Sequence, residues 1–583
     1  MAGRKTPAGS ADAAENRQVE LDEEDANIRI ALSSPFSLVR VVVLVLLLAL
    51  WSQVIEFNLT PAYGSIPASK WRGLLASTAY NLPFGISVSH STSSARLVLR
   101  YLEWLPLLAL GSAWALHAYL YRLGSLLGPT WASVTTKVIV QVPVLLLGAL
   151  IAVHLCQLRH RFLPIGLMMC TMWLFRSNIS MTLLERSLGP IGSHPGLTRY
   201  SLLVTLSFGF SIVCPPTRNR KVFLRWAIVA ISAGSWFLAF DPHAPFQRAL
   251  DVANRRLESS GFTILDREES ITGYVSVIEN TAQGFRTMRC DHSLLGGNWL
   301  VTPQSIANGM TRPESIFSIF TMLEAVRLMV PVIVPPPPPP PPHSQTALVI
   351  GLGIGTAPTA LAAHTINTTV LELDPAVTRL ARTHFALPPA LTVLTADATS
   401  HIPHLAALSP ATRPAYDFIL HDVFTGGAEP APLFAPAFLR ALHALLAPGG
   451  VVAVNYAGDL RRKATWRALR RVARVLGNCR AFRDSAAAPE GRAGPDFANV
   501  VVYCARGTGA WGFREAVEGD FLGSLGRREW LVPRHEVALF AGVGEGDEEE
   551  GGGEEGGGDR EQSAADHWRI MRGVLPDIVW ETW

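Results

Sequence analysis

Residues Ala347 to Thr356 read ALVIGLGIGT, an apolar stretch that runs directly into a Gly-x-Gly-x-Gly turn. A second short apolar stretch that ends in acids follows about twenty residues later, at Thr369 to Asp374 (TVLELD). Glycines let the backbone turn sharply and approach a ligand closely, and an acid at the end of the second strand can accept hydrogen bonds from ribose hydroxyls. The pattern predicts a nucleotide pocket lined by Gly351, Gly353, Gly355 and Glu372.

The spacing of the glycines indicates which class of nucleotide the pocket binds. A dinucleotide-binding turn has its third glycine one position later than Gly355, where this chain has Thr356. This departure favours an S-adenosyl nucleoside over NAD as the ligand of the pocket.

Strand and helix patterns continue to alternate after the glycine turn. Leu391 to Leu394 is a third predicted strand that leads to Asp397, and Tyr416 to Leu420 is a fourth that leads to Asp422. Open α/β sheets bind ligands outside the carboxyl ends of their strands, so these acids should meet the glycine turn in one crevice. The competing interpretation is that both aspartates only cap the helices that follow them.

Two further strands are predicted at Val451 to Ala457 (VVAVNYA) and at Asn499 to Cys504. About seven strands separated by helices are typical of a doubly wound α/β sheet, which here should be Rossmann-type and methyltransferase-like.

At these motifs the chain resembles the spermidine/spermine synthase (polyamine synthase) family, and in particular its members with N-terminal transmembrane helices. The resemblance extends roughly from Gly261 to Ala505. Its carriers are GLGIG at 351–355, LELD at 371–374, TAD at 395–397 and YDFILHDVFTGG at 416–427. The family has a small β domain before the nucleotide fold, and Ser270 to Asp291 has the alternating pattern of a β-hairpin.

The resemblance implies a role for each acid. Glu372 would hold the ribose, Asp397 the adenine side, and Asp422 would be the catalytic proton acceptor. It also implies an S-adenosyl donor, either decarboxylated S-adenosylmethionine or S-adenosylmethionine, with no metal. Aminopropyl transfer to an amine needs such an acid, because a protonated amine is not a nucleophile until a base removes its proton.

Three departures from the family pattern concern the amine. The chain has Ile354 and Thr425 where the family has aspartates, and Leu295 where the family has glutamine. Fewer carboxylates leave the charges of a diamine less well compensated in a desolvated site. The pattern indicates a changed acceptor, and DVFTGGAEP at 422–430 matches the membrane-fused relatives more closely.

The first 240 residues have a different character. Apolar stretches long enough for about five to seven membrane spans predict an all-α transmembrane bundle. They lie at Val41–Ile55, Trp104–Tyr121, Val138–Leu158, Phe162–Phe175, Tyr200–Pro216 and Trp226–Phe240. Phe162–Phe175 is short enough to be a buried or re-entrant helix instead, and Trp71–Gly85 is an interfacial candidate.

The charges between the spans do not determine an orientation. S-adenosyl donors are made in the cytosol, so the sequence predicts an integral membrane protein whose catalytic domain faces the cytosol. The six cysteines form no C-x-x-C pair, and the sequence alone indicates neither a disulfide framework nor a zinc site.

Charge balance and low-complexity tracts complete the expectations. A net charge of +3 does not indicate nucleic-acid binding. The basic segment at 460–477 is interpreted as a sheet-covering helix, with anionic lipid as the alternative partner of its charged face. Eight prolines at 335–342 predict a stiff polyproline spacer, with a ligand of an SH3-type domain as the alternative.

These observations divide the chain into predicted regions. They are a disordered tail (1–36), a multi-pass membrane region (37–241), a small β domain with its connecting helix (242–330), a proline-rich linker (331–346), the S-adenosyl-binding α/β domain (347–543), a disordered acidic Gly/Glu tract (544–566) and a docking tail (567–583).

Three functions remain open from the sequence. The first is a membrane-anchored aminopropyltransferase of polyamine biosynthesis, with a small-molecule amine and the lipid bilayer as partners and a homo-oligomer as a further possibility. The second is methyl transfer from S-adenosylmethionine on the same fold. The third is a non-catalytic nucleoside sensor or a protein associated with polyamine transport, which charged groups inside the spans would favour.

Overall fold

The computed structural model describes residues 36–87, 104–157, 198–213, 247–332, 345–423, 430–487, 494–540 and 556–582. The chain divides into two compact units. The first comprises Met1–Leu59, Ser69–Leu127 and Trp131–Ala244, and the second comprises Thr60–Ala68, Gly128–Thr130 and Pro245–Trp583.

The N-terminal part of the described chain is helical. Its helices are α1 (Phe36–Tyr63), α2 (Ser65–Ser69), α3 (Arg72–Ser87), α4 (Trp104–Ala118), α5 (Leu123–Val140), α6 (Val142–Gln157) and α7 (Arg199–Val213). Two helical stretches in the described residues, Val39–Tyr63 and Leu120–Val153, are long and apolar enough to cross a membrane, a test that a buried core helix also passes. The transmembrane bundle therefore remains a prediction.

The boundaries of the predicted spans differ from the helices. The predicted span at Val138–Leu158 begins inside α5, and the helix break lies at Gln141. Helix α5 was not anticipated because Gly128, which has φ 70°, and Pro129 interrupt its apolar pattern. The predicted spans at 162–175 and 226–240 lie outside the described residues.

Helix α1 also extends beyond the predicted span and includes a carboxylate. Glu56 forms an ion pair with Arg72, with 3.2 Å between Oε1 and Nη1. Glu56 lies one residue beyond the predicted span, and its charge is paired rather than isolated.

The second unit begins with α8 (Gln247–Leu257) and an antiparallel sheet. Its five strands follow one another in sequence order: β1 (Phe262–Ser270), β2 (Gly273–Asn280), β3 (Phe285–Cys290), β4 (Ser293–Trp299) and β5 (Glu314–Ser315). The helices α9 (Pro303–Ala307) and α10 (Ser318–Met322) and strand β6 (Met329–Pro331) lead to the next sheet. The predicted hairpin is the β2–β3 pair, in which Val277 lies opposite Met288.

An eight-stranded sheet forms the centre of the second unit. Its strands are β7 (Thr346–Ile350), β8 (Asn367–Glu372), β9 (Thr392–Thr395), β10 (Tyr416–His421), β11 (Leu446–Asp459), β12 (Cys479–Arg483), β13 (Phe497–Ala505) and β15 (His535–Val537). The strand β14 (Trp511–Phe513) pairs instead with β6 in a separate two-stranded sheet. The order across the sheet is β15-β12-β13-β11-β10-β7-β8-β9. Strands β9, β8, β7, β10 and β11 are parallel, and the chain reverses direction of winding between β7 and β10.

Both faces of this sheet are covered. The covering helices are α11 (Thr356–Ala363), α12 (Pro375–His384), α13 (Ala398–Ala406), α14 (Pro436–Ala444) and α15 (Lys463–Leu476), and a further helix, α16 (Leu525–Trp530), packs against α10 and β5. Alternate residues of β7 point to opposite faces, so Val349 packs with α11 and α12 while Leu348 packs with α13 and α14. This arrangement confirms the predicted Rossmann-like methyltransferase fold.

The small sheet is tied to the large one by a buried acid. Asp374 is fully buried and accepts hydrogen bonds from the hydroxyls of Ser270 and Thr272, as well as capping α12 through the backbone N–H of Ala376. Because a buried carboxylate must be compensated, this residue links the two sheets at the edge where the acids of β8 lie.

The C-terminal segment also packs on the small sheet. Helices α17 (Gly556–Val574) and α18 (Asp577–Trp580) follow the acidic tract, and the fully buried Arg289 donates to the carbonyls of Val579 and Thr582. The expectation of disorder up to residue 566 is wrong from Gly556 onward. The buried Ala564 and Ala565 give this stretch an apolar face that packs.

One expectation about the cysteines is also wrong. Cys479 on β12 and Cys504 on β13 are paired residues of neighbouring antiparallel strands and form a disulfide bond. The sequence did not indicate the bond because its two cysteines are separated by 25 positions and meet only when the strands pair.

Candidate active site

The register of the parallel strands brings the predicted site residues to one edge. Ile350 lies opposite Leu371 on one side and His421 on the other, and His421 lies opposite Val454. The residues that follow these partners therefore share one row at the carboxyl ends of the strands: Gly351, Glu372, Asp422 and Asn455.

The glycine turn is built so that side chains are excluded. Gly351 has φ 88°, and a Cβ at this position would overlap with the carbonyl oxygen of Asp422. Gly353 has φ 53°, and a Cβ there would overlap with the carbonyl oxygen of Leu295 on β4. Gly355 has φ 84° and is the residue before the first turn of α11. The turn is thus pressed between the end of β10 and the small sheet, and it directs a helix N-terminus toward the site.

Glu372 lies beside this turn. Its Oε2 accepts from the backbone N–H of Leu352 and its Oε1 from that of Asp374, each at 2.9 Å. The side chain is 8% exposed, and burial raises the pKa of the carboxyl to about 7. Each carboxylate oxygen has a second lone pair, so the group can still accept hydrogen bonds from two hydroxyls.

Asp397 caps the helix that follows it, as the competing interpretation predicts. Its side chain accepts from the backbone N–H of Thr399 at 2.8 Å and from the hydroxyl of Thr399 at 2.7 Å, and so caps α13. It is exposed, and it follows the strand that pairs with β8. The structure therefore places it at the predicted edge, with a helix-capping function of its own.

Asp422 lies where β10 ends, next to the glycine turn. Its backbone N–H donates to the carbonyl of Ile350 at 2.9 Å. Its Oδ1 accepts from the Nδ2 of Asn455 at 2.8 Å. Burial raises the pKa of the Asp422 carboxyl to about 6, and the bond from Asn455 opposes this shift. Among the described residues its side chain caps no helix, and the bond from Asn455 holds its carboxylate beside β11.

His421, the neighbour of Asp422, points to the opposite face of the strand. Its Nε2 lies 3.1 Å from the carbonyl oxygen of Leu433, and its ring packs against Phe434 and Phe438. Burial lowers its pKa to about 4. It is a neutral histidine of the core and takes no part in the site.

The departures from the polyamine synthase pattern have a structural explanation. Ile354 is 5% exposed and fills the space above Gly296, where a Cβ would touch its side chain. An apolar contact between the glycine turn and β4 replaces the carboxylate of the family. Thr425 lies outside the described residues.

Sequence reasoning missed two kinds of residue at this edge. Leu373 follows Glu372 and is 44% exposed, and Leu394 on β9 is 40% exposed, so apolar surface faces solvent beside the acids. The signal for Leu373 was available, because an apolar residue between two acids at a strand end has no core to enter. Asn455 was quoted in VVAVNYA without a role, because its meaning depends on the strand pairing.

The residues present fit the S-adenosyl donor that the sequence predicted. The glycine turn provides a surface free of side chains, Glu372 provides acceptors for ribose hydroxyls, and the exposed leucines provide apolar surface for a base. Among the described residues, no group of three or more His, Cys, Asp or Glu is arranged to hold a metal ion.

Comparison with known proteins places the chain in a family. No family model matches it. Over 568 residues it is 36% identical to the N-terminal histidine N-methyltransferase of Emericella nidulans, covering 93% of this chain and 96% of that enzyme. The chain belongs to the family of this methyltransferase. It is a transferase of the S-adenosylmethionine-dependent methyltransferase superfamily, and its co-substrate is S-adenosylmethionine or the decarboxylated form.

Part of the chain is also similar to polyamine synthases. The polyamine aminopropyltransferase of Vibrio vulnificus is 34% identical over 115 residues, which are 19% of this chain and 37% of that enzyme. Among solved structures, a probable spermidine synthase from Corynebacterium glutamicum aligns with a TM-score of 0.33 and 18% identity, covering 48% of this chain and 98% of that one. Human methyltransferase-like protein 13 aligns with a TM-score of 0.26 and 21% identity, covering 38% and 96%. Likenesses of this size carry no argument about function.

Proposed function

We propose that the chain is an S-adenosylmethionine-dependent N-methyltransferase that modifies an N-terminal histidine of a polypeptide. The observation that carries this proposal is the 36% identity to the N-terminal histidine N-methyltransferase, which extends over 93% of the chain and so includes the N-terminal helices as well as the catalytic fold. The relative named for aminopropyl transfer matches only 19% of the chain.

The site residues receive the following roles in this proposal. Gly351, Gly353 and Gly355 hold the backbone against the donor, Glu372 accepts from its ribose hydroxyls, and Asp397 lies on the adenine side with Leu373 against the base. When bound, the sulfonium group of the donor supplies an electrophilic methyl group.

Asp422 is the proposed catalytic base. The unprotonated ring nitrogen of the histidine attacks through its lone pair, so the base must leave that nitrogen free and accept the proton that the opposite ring nitrogen loses. A carboxylate whose pKa is raised to about 6 by burial is matched to this exchange, because imidazole has an ordinary pKa of about 6.5. Orientation of the two reactants supplies the rest of the acceleration.

The second candidate is aminopropyl transfer from decarboxylated S-adenosylmethionine. The partial identity to an enzyme that is named a polyamine aminopropyltransferase favours this candidate. Ile354 opposes it, because the chain has a buried apolar side chain where the family has an amine-binding acid.

A donor and acceptor cross-test separates the candidates. Full-length protein in mild detergent is given S-adenosylmethionine or its decarboxylated form, each with a peptide that begins with histidine or with putrescine. We expect product only from S-adenosylmethionine and the peptide. Product from the decarboxylated donor and putrescine alone would replace the proposed function by the second candidate.

A further inference from the structure

Asn455 has an unusual hydrogen-bonding pattern at the edge of the sheet. It lies on β11, one residue beyond the Val454 that pairs with His421, and therefore directly beside Asp422. Its Nδ2 donates to the Oδ1 of Asp422 at 2.8 Å. The carboxylate determines the orientation of the amide, because the reverse orientation would place two acceptor oxygens against each other.

The other half of this amide is not satisfied within the described structure. Asn455 is 8% exposed, and its Oδ1 is buried with no hydrogen-bond partner among the described residues. An asparagine retained for folding would be expected to have both atoms paired, since an unpaired buried carbonyl opposes folding. The side chain is therefore better explained by what its N–H group does to Asp422.

We infer that Asn455 is a positioning residue, which holds the Asp422 carboxylate in its ionised form and turns its free oxygen, Oδ2, toward the N–H of the histidine ring, on the nitrogen opposite the one that is methylated. This inference rests on the proposed function, because it concerns the base of that reaction. An N–H donor stabilises a carboxylate and not a carboxylic acid at the bonded oxygen. Asn455 thereby keeps a buried acid available as a base.

The step balances as follows. The bond between sulfur and methyl carbon breaks with its electron pair left on sulfur, and a bond forms between that carbon and the unprotonated ring nitrogen of the histidine. The other ring nitrogen then loses its proton to Oδ2 of Asp422, while Oδ1 stays bonded to Asn455.

Other titratable groups near Asp422 do not perform this task. Glu372 lies two strands away and bonds to the backbone N–H groups of Leu352 and Asp374. His421 faces the other side of the sheet. Burial and Asn455 are the two influences on the pKa of Asp422, and they act in opposite directions.

The test is the pH dependence of kcat/KM for methyl transfer to a peptide that begins with histidine, measured on the full-length protein and on Asn455→Leu. Leucine has a similar volume and lacks the donor. We expect the acidic limb to move upward by about one pH unit, which is a roughly tenfold loss near the limb and recovery at alkaline pH. The imidazole of the peptide titrates equally in both proteins, so the difference reports Asp422.

Asn499→Leu is the matched control, because Asn499 on β13 donates a similar bond, at 2.7 Å, to Asp484 and not to Asp422. It should leave the pH profile unchanged. Asn455→Ala serves as a second variant if the leucine variant is unstable, and donor affinity measured with S-adenosylhomocysteine should be unchanged in both.

Three results are distinguishable. An active wild type with an unshifted limb in both Asn455 variants overturns the inference and leaves the proposed function intact. A uniform loss of kcat at every pH would assign Asn455 a structural role instead and also overturn it. A wild type that transfers aminopropyl groups but not methyl groups refutes the proposed function, and the same pH comparison with putrescine then tests the inference separately.

Discussion

At the scale of single residues, Asp422 is the side chain on which the chemistry depends. Asp422→Asn keeps the shape and removes the basicity, so we expect methyl transfer to fall by about 100- to 10,000-fold, while calorimetry gives an unchanged affinity for S-adenosylhomocysteine. Asp484→Asn, which alters the carboxylate that is bonded to Asn499 instead of Asn455, is the control. Retention of near-normal turnover by Asp422→Asn would exclude proton removal by this residue.

The raised pKa of Asp422 also predicts a pH profile. The carboxyl must be ionised to act as a base, and burial raises its pKa from 3.8 to about 6. Activity should therefore fall as the pH drops through about 6, where the imidazole of the peptide also titrates, so log kcat/KM should fall with a slope of about two below that pH. A slope of about one, from the imidazole alone, would contradict the assignment.

A substitution at Gly351 tests whether the glycine turn must be free of side chains. Gly351→Ala adds a methyl group that overlaps with the carbonyl oxygen of Asp422, whereas Gly449→Ala has a similar positive φ, 76°, with no atom within 4 Å. The control should cost about 1 to 2 kcal/mol of unfolding free energy, the strain of a left-handed residue. We expect Gly351→Ala to cost more and to lose donor binding, as measured by thermal unfolding and calorimetry. Equal losses of unfolding free energy and of donor binding in the two variants would show that a Cβ fits at position 351.

The sequence predicted those site residues whose positions depend on a single short segment of the chain. The glycines and Glu372 were predicted from spacing within one strand–turn–strand unit, and the structure brings them together. Asn455 and the burial of Ile354 were not predictable, because both depend on which strand of a distant segment lies alongside. Asp397 was ambiguous for a physical reason, since a strand-end acid and a helix cap occupy the same position.

At the scale of elements, apolar patterns located most of the central strands. The two strands that were missed, Cys479–Arg483 and His535–Val537, are short, and the first has arginines at two of its positions. Their place in the sheet is defined by pairing with β13 and with each other. The sequences of such short strands predict a strand only weakly, because the neighbouring strand determines the register.

The disulfide between β12 and β13 predicts an effect on stability. A crosslink that closes a loop of 25 residues removes conformations from the unfolded chain, which is worth about 3 kcal/mol. The double variant Cys479→Ala/Cys504→Ala should unfold at a lower temperature than wild type under non-reducing conditions, and a reducing agent should lower the wild type to a similar value. Cys290→Ala is the control, since Cys290 does not form a disulfide bond. Identical unfolding of the double variant and the wild type would exclude a stabilising bond.

At the scale of the whole molecule, two arguments about the compartment oppose each other. The donor is made in the cytosol, which placed the catalytic domain there, but disulfides persist mainly in oxidising compartments. The disulfide favours a placement outside the cytosol, because a cytosolic disulfide is continually reduced. If the predicted spans cross a membrane in that orientation, protease treatment of sealed membrane vesicles leaves a C-terminal epitope tag protected until detergent is added. Digestion of the tag in intact vesicles would restore the cytosolic placement.

The central claim is that this chain transfers a methyl group from S-adenosylmethionine to an N-terminal histidine. Tandem mass spectrometry of a peptide incubated with the full-length protein and the donor tests it most directly, with a peptide that carries histidine only at an internal position as the control. The account predicts an added methyl group on the first residue of the histidine-first peptide and none on the control or with Asp422→Asn. Methylation of both peptides at any histidine, or of neither under conditions in which the protein binds S-adenosylhomocysteine, would contradict it.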